Sequence, residues 1–202
     1  MKPLWKYAVA LLTIASMLHL AGCASPSQPT RFYRLNAAVD LPAPAESAQA
    51  RLPEVGLGPV HLSSYLDRPQ IVNRAGLYRL QLNEFDQWAG TLQENIIQVL
   101  VDYLSASLGE NRVVAYPWHG SLKPDYDISF YFSRFDAVDG LQVILQARWM
   151  LLDRAKGKVL DTRQVTISEP IKGAEPEAIV AAGSRALEKL SRRLEALLRK
   201  QL

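Results

Sequence analysis

Apolar positions recur along this chain with two periods, and the period changes where the elements change. Tyr7 to Leu20 is a charge-free, mostly apolar run. Phe32-Tyr33-Arg34-Leu35 gives a short strand, and Ala37 to Pro53, rich in Ala and with Pro42, Pro44 and Pro53, gives a loop. Val55 to Leu62 reads as a strand interrupted by Gly56, Gly58 and Pro59. Gln70 to Asn73 and Leu77 to Leu82 read as two strands around a turn at Asn73 to Gly76. Trp88, Leu92, Ile96, Val99, Leu100, Tyr103 and Leu104 then step by three and four, which makes one stripe of a helix. Thr91 and Glu94 match a capping box that starts the regular helix, and Gly109 stops it.

A short strand is expected at Arg112 to Tyr116, after which period two returns. Ile128, Phe130 and Phe132 alternate with Ser129, Tyr131 and Ser133. Leu141, Val143, Leu145, Ala147, Trp149 and Leu151 alternate with Gln142, Gln146 and Arg148. Asp139-Gly140 between them is a hairpin turn signal. A third strand, Val159 to Ser168, follows the Lys156-Gly157-Lys158 turn and completes an antiparallel meander. The chain closes in a helix opened by Pro176. Its apolar stripe is Ile179, Ala182, Ala186, Leu187, Leu190, Leu194, Leu197 and Leu198. Arg185, Lys189, Arg192, Arg193 and Arg199 lie mostly on another face. Either they meet anionic lipid or an acidic partner, or they are simply solvated, and the interruptions at Glu188 and Glu195 favour the latter. The fold class that follows is α+β: a two-layer domain with a mostly antiparallel or mixed sheet and two amphipathic helices packed on it.

Composition adds limits. The chain has 202 residues, 49% apolar and 21% charged, which suits one globular domain and argues against disorder. One cysteine excludes an intrachain disulfide and a multi-thiolate zinc site. Lys2 and Lys6 precede the apolar run, which at 14 residues is short of the ~20 a membrane span needs but right for a signal peptide. The run ends in Leu20-Ala21-Gly22-Cys23, which resembles the lipobox of bacterial lipoproteins. That resemblance implies a diacylglycerol thioether on Cys23, cleavage before it and acylation of the freed amine. The expected organisation is a signal peptide at 1–22, a lipidated cysteine with a polar tether at 23–30, and a single domain at 31–202.

Cleavage removes 22 residues, two of them lysines and none acidic. The remaining 180 carry 21 basic and 20 acidic side chains, so the +3 of the whole chain falls to +1. No basic footprint for nucleic acid remains. One acyl chain anchors only marginally, whereas three hold permanently. By resemblance to enteric lipoproteins, Ala24 in place of Asp favours the outer membrane. The tether Ala24 to Thr30 reaches at most ~25 Å.

No reaction is specified. Gly56-Leu57-Gly58 begins like a phosphate loop but has His61 where the third glycine belongs, so it reads as a bulge or turn. No Gly-x-Ser-x-Gly occurs. His61 and His119 stand in separate segments without ligand-type neighbours. Asp125 and Asp127 would share a strand face, as an acid–base or cation pair or as the polar start of a strand. Trp88, Trp118 and Trp149 form either an aromatic platform or separate core and interface positions. No catalytic, cofactor or metal residue is assigned.

Three features join the lipobox in order. They are Phe32-Tyr33-Arg34-Leu35; Tyr65-Leu66-Asp67-Arg68-Pro69-Gln70-Ile71-Val72; and Trp88-Ala89 opening a helix with Leu92, Leu100 and Leu104. Together they resemble the PqiC-type, or ABC-type transport auxiliary, outer-membrane lipoproteins, with Leu66 to Val72 the most specific part. The resemblance implies a non-enzymatic, periplasm-facing subunit of an MCE-type envelope transport system for phospholipids or other hydrophobic molecules. It implies docking of an MCE-family periplasmic tunnel protein at the outer membrane, a part in membrane integrity, and no cofactor beyond the acyl chains, such as palmitate, on Cys23. A symmetric tunnel suits a homo-oligomeric ring. The alternative is a stand-alone lipid carrier or small envelope enzyme held by its lipid. Asp67 and Pro69 are turn chemistry. Arg68 offers a forked pair of donors to a carboxylate in this chain, a neighbour or a partner. Asp67, Arg68, Pro69 and Trp88 are the candidate interface.

Overall fold

A computed structural model describes residues 28–37, 54–109, 112–118 and 123–201. The lipobox, Cys23, most of the tether and His119 lie outside these residues. The backbone of the fold is the meander. β6 (Tyr126–Val138), β7 (Gln142–Asp153) and β8 (Lys158–Pro170) pair antiparallel along their whole length. Asp139 and Gly140 both take positive φ, +50° and +68°, as a twisted two-residue hairpin turn requires. Leu141 was expected on the buried face of β7, but it sits in this turn and is exposed. From Val143 onward the alternation is as expected, with Val143, Leu145, Ala147, Trp149 and Leu151 all buried.

The sheet as a whole is mixed. One edge of β6 belongs to β7. Its other edge carries two strands in series, both parallel to it. β2 (Val55–Leu62) runs alongside Tyr126 to Phe132, and β3 (Gln70–Ala75) meets Ala137 and Val138. β4 (Arg79–Trp88) pairs antiparallel with β3, and β1 (Arg31–Tyr33) pairs parallel with β4. β5 (Val113–Ala115) pairs parallel with β2. The register slips between Leu57 and Val60, so the Gly56-Leu57-Gly58 segment is a bulge. Gly58 has φ +118°, and a Cβ at Gly56 would run into the Trp118 ring.

Two expectations shift here. The β3–β4 turn is at Gly76 to Tyr78, not Asn73 to Gly76, because Asn73 and Arg74 still pair with β6. Gly76, at φ +70°, takes the turn position that needs glycine. Trp88 is the last residue of β4 rather than the first of the helix stripe. Helix α1 (Leu92–Leu108) starts after Thr91, whose side chain accepts from Glu94 N while Glu94 answers to Thr91 N. Helix α2 (Pro176–Gln201) starts where expected.

Both helices bury their stripes on the same core. Ile96, Leu100 and Leu104 of α1 and Leu187, Leu190 and Leu194 of α2 meet Leu57, Ile128, Phe130, Phe132 and Leu145 of the sheet. Fully burying each such side chain contributes roughly 1.5–3 kcal/mol. The basic face of α2 is largely occupied by acids of this chain. Arg185 and Lys189 pair with the buried Glu169, Arg192 with Glu188, and Arg199 with Glu195.

Candidate docking site

β2 ends at Leu62 and β3 begins at Gln70, both on one edge of β6. Between them the edge groups of Ser133 to Asp136 lack a strand partner, and the intervening segment fills that gap. Ser63 N donates to Phe132 O at 2.9 Å. Leu66 N returns to Ser63 O and Arg68 N to Leu66 O, closing two tight turns. Leu66 is wholly buried. The Tyr65 hydroxyl reaches Ser133 O at 3.2 Å and the Asp136 carboxylate at 2.7 Å. Pro69 O accepts from Trp88 N at 2.7 Å, which ties the exit of the segment to β4. The segment is therefore a splice that lets one strand edge carry two strands.

Asp136 is the hub of the splice. It is 1% exposed, and Arg134, Arg74 and Tyr65 all donate to it. Two guanidiniums and a phenol compensate the burial of its charge. Burial, then the bond to Asp136, pushes the Tyr65 phenol far above its ordinary range. Arg68 differs. It is half-buried, and its Nε is buried without a hydrogen-bond partner among the described residues. Asp67 and Pro69 on either side of it are exposed.

A second buried carboxylate seats the amino-terminal strand. Asp86 accepts from Arg31 Nε at 2.8 Å, Tyr33 Oη at 3.0 Å and Asn83 Nδ2 at 2.7 Å. Burial, then the bond to Asp86, raises the Tyr33 phenol from 10.0 to about 12. The buried Asn95 of α1 continues the clasp. Its Oδ1 accepts from Leu35 N, and its Nδ2 donates to Ala89 O and Thr91 O. Whatever leaves the domain through Arg31 is thus held by side chains of β4 and α1.

The remaining sequence candidates do not converge. Asp127 pairs with Arg154, and burial lifts its pKa against the pull of that guanidinium. Asp125 accepts from Glu54 N. Trp88 is buried against Phe135, Trp149 is buried across from Phe130, and Trp118 meets Tyr116 edge to face and lies under Arg154. Trp88 therefore supports the splice from inside and adds nothing to an exposed surface. His61 is exposed on β2, opposite Tyr131. Among the described residues no three His, Cys, Asp or Glu gather as metal ligands. No described helix is long and apolar enough to cross a membrane. The residues that the sequence reading missed are Asp86, Asp136 and Asn95. Asp136 had a readable signal, a carboxylate inside Phe135-Asp136-Ala137, and Asp86 a weaker one between Phe85 and Trp88.

The family model of the ABC-type transport auxiliary lipoprotein component matches residues 33–195, from the Tyr33 clasp to the last turns of α2. The chain belongs to that family. The splice and all of the clasp but Arg31 therefore lie within the matched residues. Among solved structures, a protein from Xanthomonas campestris matches at 18% identity and TM-score 0.71, covering 85% of this chain and 98% of its own. An uncharacterized protein matches at 16% identity and TM-score 0.68, covering 85% of this chain and 99% of its own. A hypothetical protein from Chlamydia trachomatis matches at 10% identity and TM-score 0.51, covering 72% of this chain and 97% of its own. These likenesses show a shared fold. No curated protein matches the sequence.

Proposed function

We propose that this auxiliary lipoprotein is a non-enzymatic docking subunit, anchored through acylated Cys23 in the outer membrane and facing the periplasm. On this reading it receives the periplasmic tunnel of an MCE-type system that carries phospholipids or other hydrophobic molecules. The observation that carries the proposal is the transport-auxiliary family match over residues 33–195. The lipobox at Leu20 to Cys23 supports the anchor. A homo-oligomeric ring would offer a symmetric tunnel several equivalent contacts.

Arg68 is the residue assigned to the partner. Its backbone is fixed by the splice, its Nε has no hydrogen-bond partner among the described residues, and its neighbours Asp67 and Pro69 are exposed. A carboxylate of the MCE protein would meet the outer nitrogens Nη1 and Nη2 of its guanidinium with a forked pair of hydrogen bonds. Chemical crosslinking in intact envelopes tests the proposal. Adducts of this chain with itself and with an MCE protein are expected. Recovery of monomers alone would contradict docking, and stoichiometric extractable lipid in a solitary protein would replace it with a carrier role.

A further inference from the structure

Three highly exposed apolar side chains crowd one end of the sheet. Leu77 is 79% exposed, Tyr78 95% and Leu141 72%. They ride on two neighbouring turns, Gly76 to Tyr78 and Asp139 to Leu141. The turns are latched together. Gly76 N donates to Asp139 Oδ1 at 2.8 Å, and Asp139 N to Arg74 O at 2.9 Å. The backbone demands Gly76, Asp139 and Gly140 for their positive φ, and it makes no such demand for leucine or tyrosine beside them.

The amino-terminal segment leaves toward this same end. β1 runs parallel to β4 with Arg31 beside Asp86, and β4 begins at Arg79, next to the first turn. At Arg31 the reverse direction of β1 therefore points along β4 toward the turns. From Asp86 to Arg79 is seven strand steps, about 23 Å. From Cys23 to Arg31 is eight residues, at most about 28 Å. The tether is long enough to bring Cys23 level with the turns and hardly longer.

We infer that these two turns are a second membrane contact, seated in the headgroup layer of the bilayer that holds the acyl chains of Cys23. This rests on the acylation of Cys23 proposed above. Tyr78 has the amphipathic side chain that favours a membrane–water interface, and the two leucines supply apolar area. Arg79 and Lys172 are exposed nearby and bring cations to lipid phosphates. Of the acids at this end, Asp139 spends one carboxylate oxygen on Gly76 N. Two points of attachment orient the domain, where a tether alone leaves it free to turn. The splice then sits at a fixed height above the membrane.

The test uses the full, acylated protein. Cys23 is the single cysteine, so acylation leaves an introduced thiol as the one labelling position. Tyr78→Cys and Leu141→Cys carry an environment-sensitive fluorophore at the turns. Val159→Cys carries it at the far end of β8. Each is placed in phosphatidylethanolamine–phosphatidylglycerol vesicles containing headgroup spin-labelled lipid. Quenching at 78 and 141 should exceed that at 159 severalfold. Equal quenching in protein that floats with the vesicles overturns the inference and leaves the anchor standing. A blue shift without lipid quenching also overturns it, in favour of a second copy covering the turns. Protein that fails to float overturns the anchor and the inference together.

Discussion

The two sides of β6 are held in different ways. Toward β7 and β8 the chain relies on long antiparallel ladders, each with one bulge, and an apolar face covered by α2, with its buried carboxylates Asp153 and Glu169 only at the strand ends. Toward β2, β3 and β4 the ladder is interrupted, and buried polar side chains take over, with Asp136 under the splice and Asp86 under the amino-terminal strand. An apolar face tolerates any partner of the right volume. A buried carboxylate tolerates only its own donors. The irregular side is therefore the side where sequence identity matters residue by residue. It is also where the Leu66 to Val72 segment lies.

Substitutions on each side should separate these two modes. Phe132→Ala empties the common core and should cost about 3–5 kcal/mol. Thermal or denaturant unfolding would show one cooperative transition moved as a whole. Asp136→Ala should cost less, about 2–3 kcal/mol, because Arg74 and Arg134 regain water. Its damage should be local, with faster amide exchange in residues 63–75 and unchanged protection in β7. Equal loss on both sides would erase the distinction drawn here. Asp86→Ala should cost about 1–2 kcal/mol and free β1. Limited proteolysis would then cut near residues 31–37 while the remaining domain stays intact.

The smallest effect is in pH. The Tyr33 phenol is raised to about 12 in the folded chain from an ordinary 10.0, so the folded state keeps its proton longer than the unfolded state. Its contribution is complete below about 10 and is lost as pH rises through about 12. Tyr33→Phe should remove that share of the alkaline decline in stability. An identical decline in the variant would show that the phenol does not matter.

The regular side was open to reading from period alone. The Ile128 and Val143 alternations, the Asp139-Gly140 turn and the α2 stripe all sit as their spacing implies. The Thr91–Glu94 capping box placed the start of α1 correctly. Trp88 followed the helix period by coincidence, because the residue ending β4 lies one turn before Leu92. The two parallel strands on one β6 edge were beyond periodicity, since pairing partners far apart in sequence leave no local trace. The candidate site was half readable. The motif singled out the segment between β2 and β3, but the packing of that segment depends on Asp136, more than sixty residues away. Arg68 could be named as a donor from sequence, and the structure adds that nothing among the described residues answers its Nε.

The central claim is that a scaffold built around Asp136 presents Arg68 to a tunnel protein. Purification of the full chain from detergent-solubilised envelopes, with Arg68→Ala beside it, tests this most directly. The account predicts that an MCE protein accompanies the native chain and is lost from the variant, while amide exchange over residues 63–75 is the same in both. Native protein that purifies without any MCE protein, or a variant that retains it fully, would contradict the account.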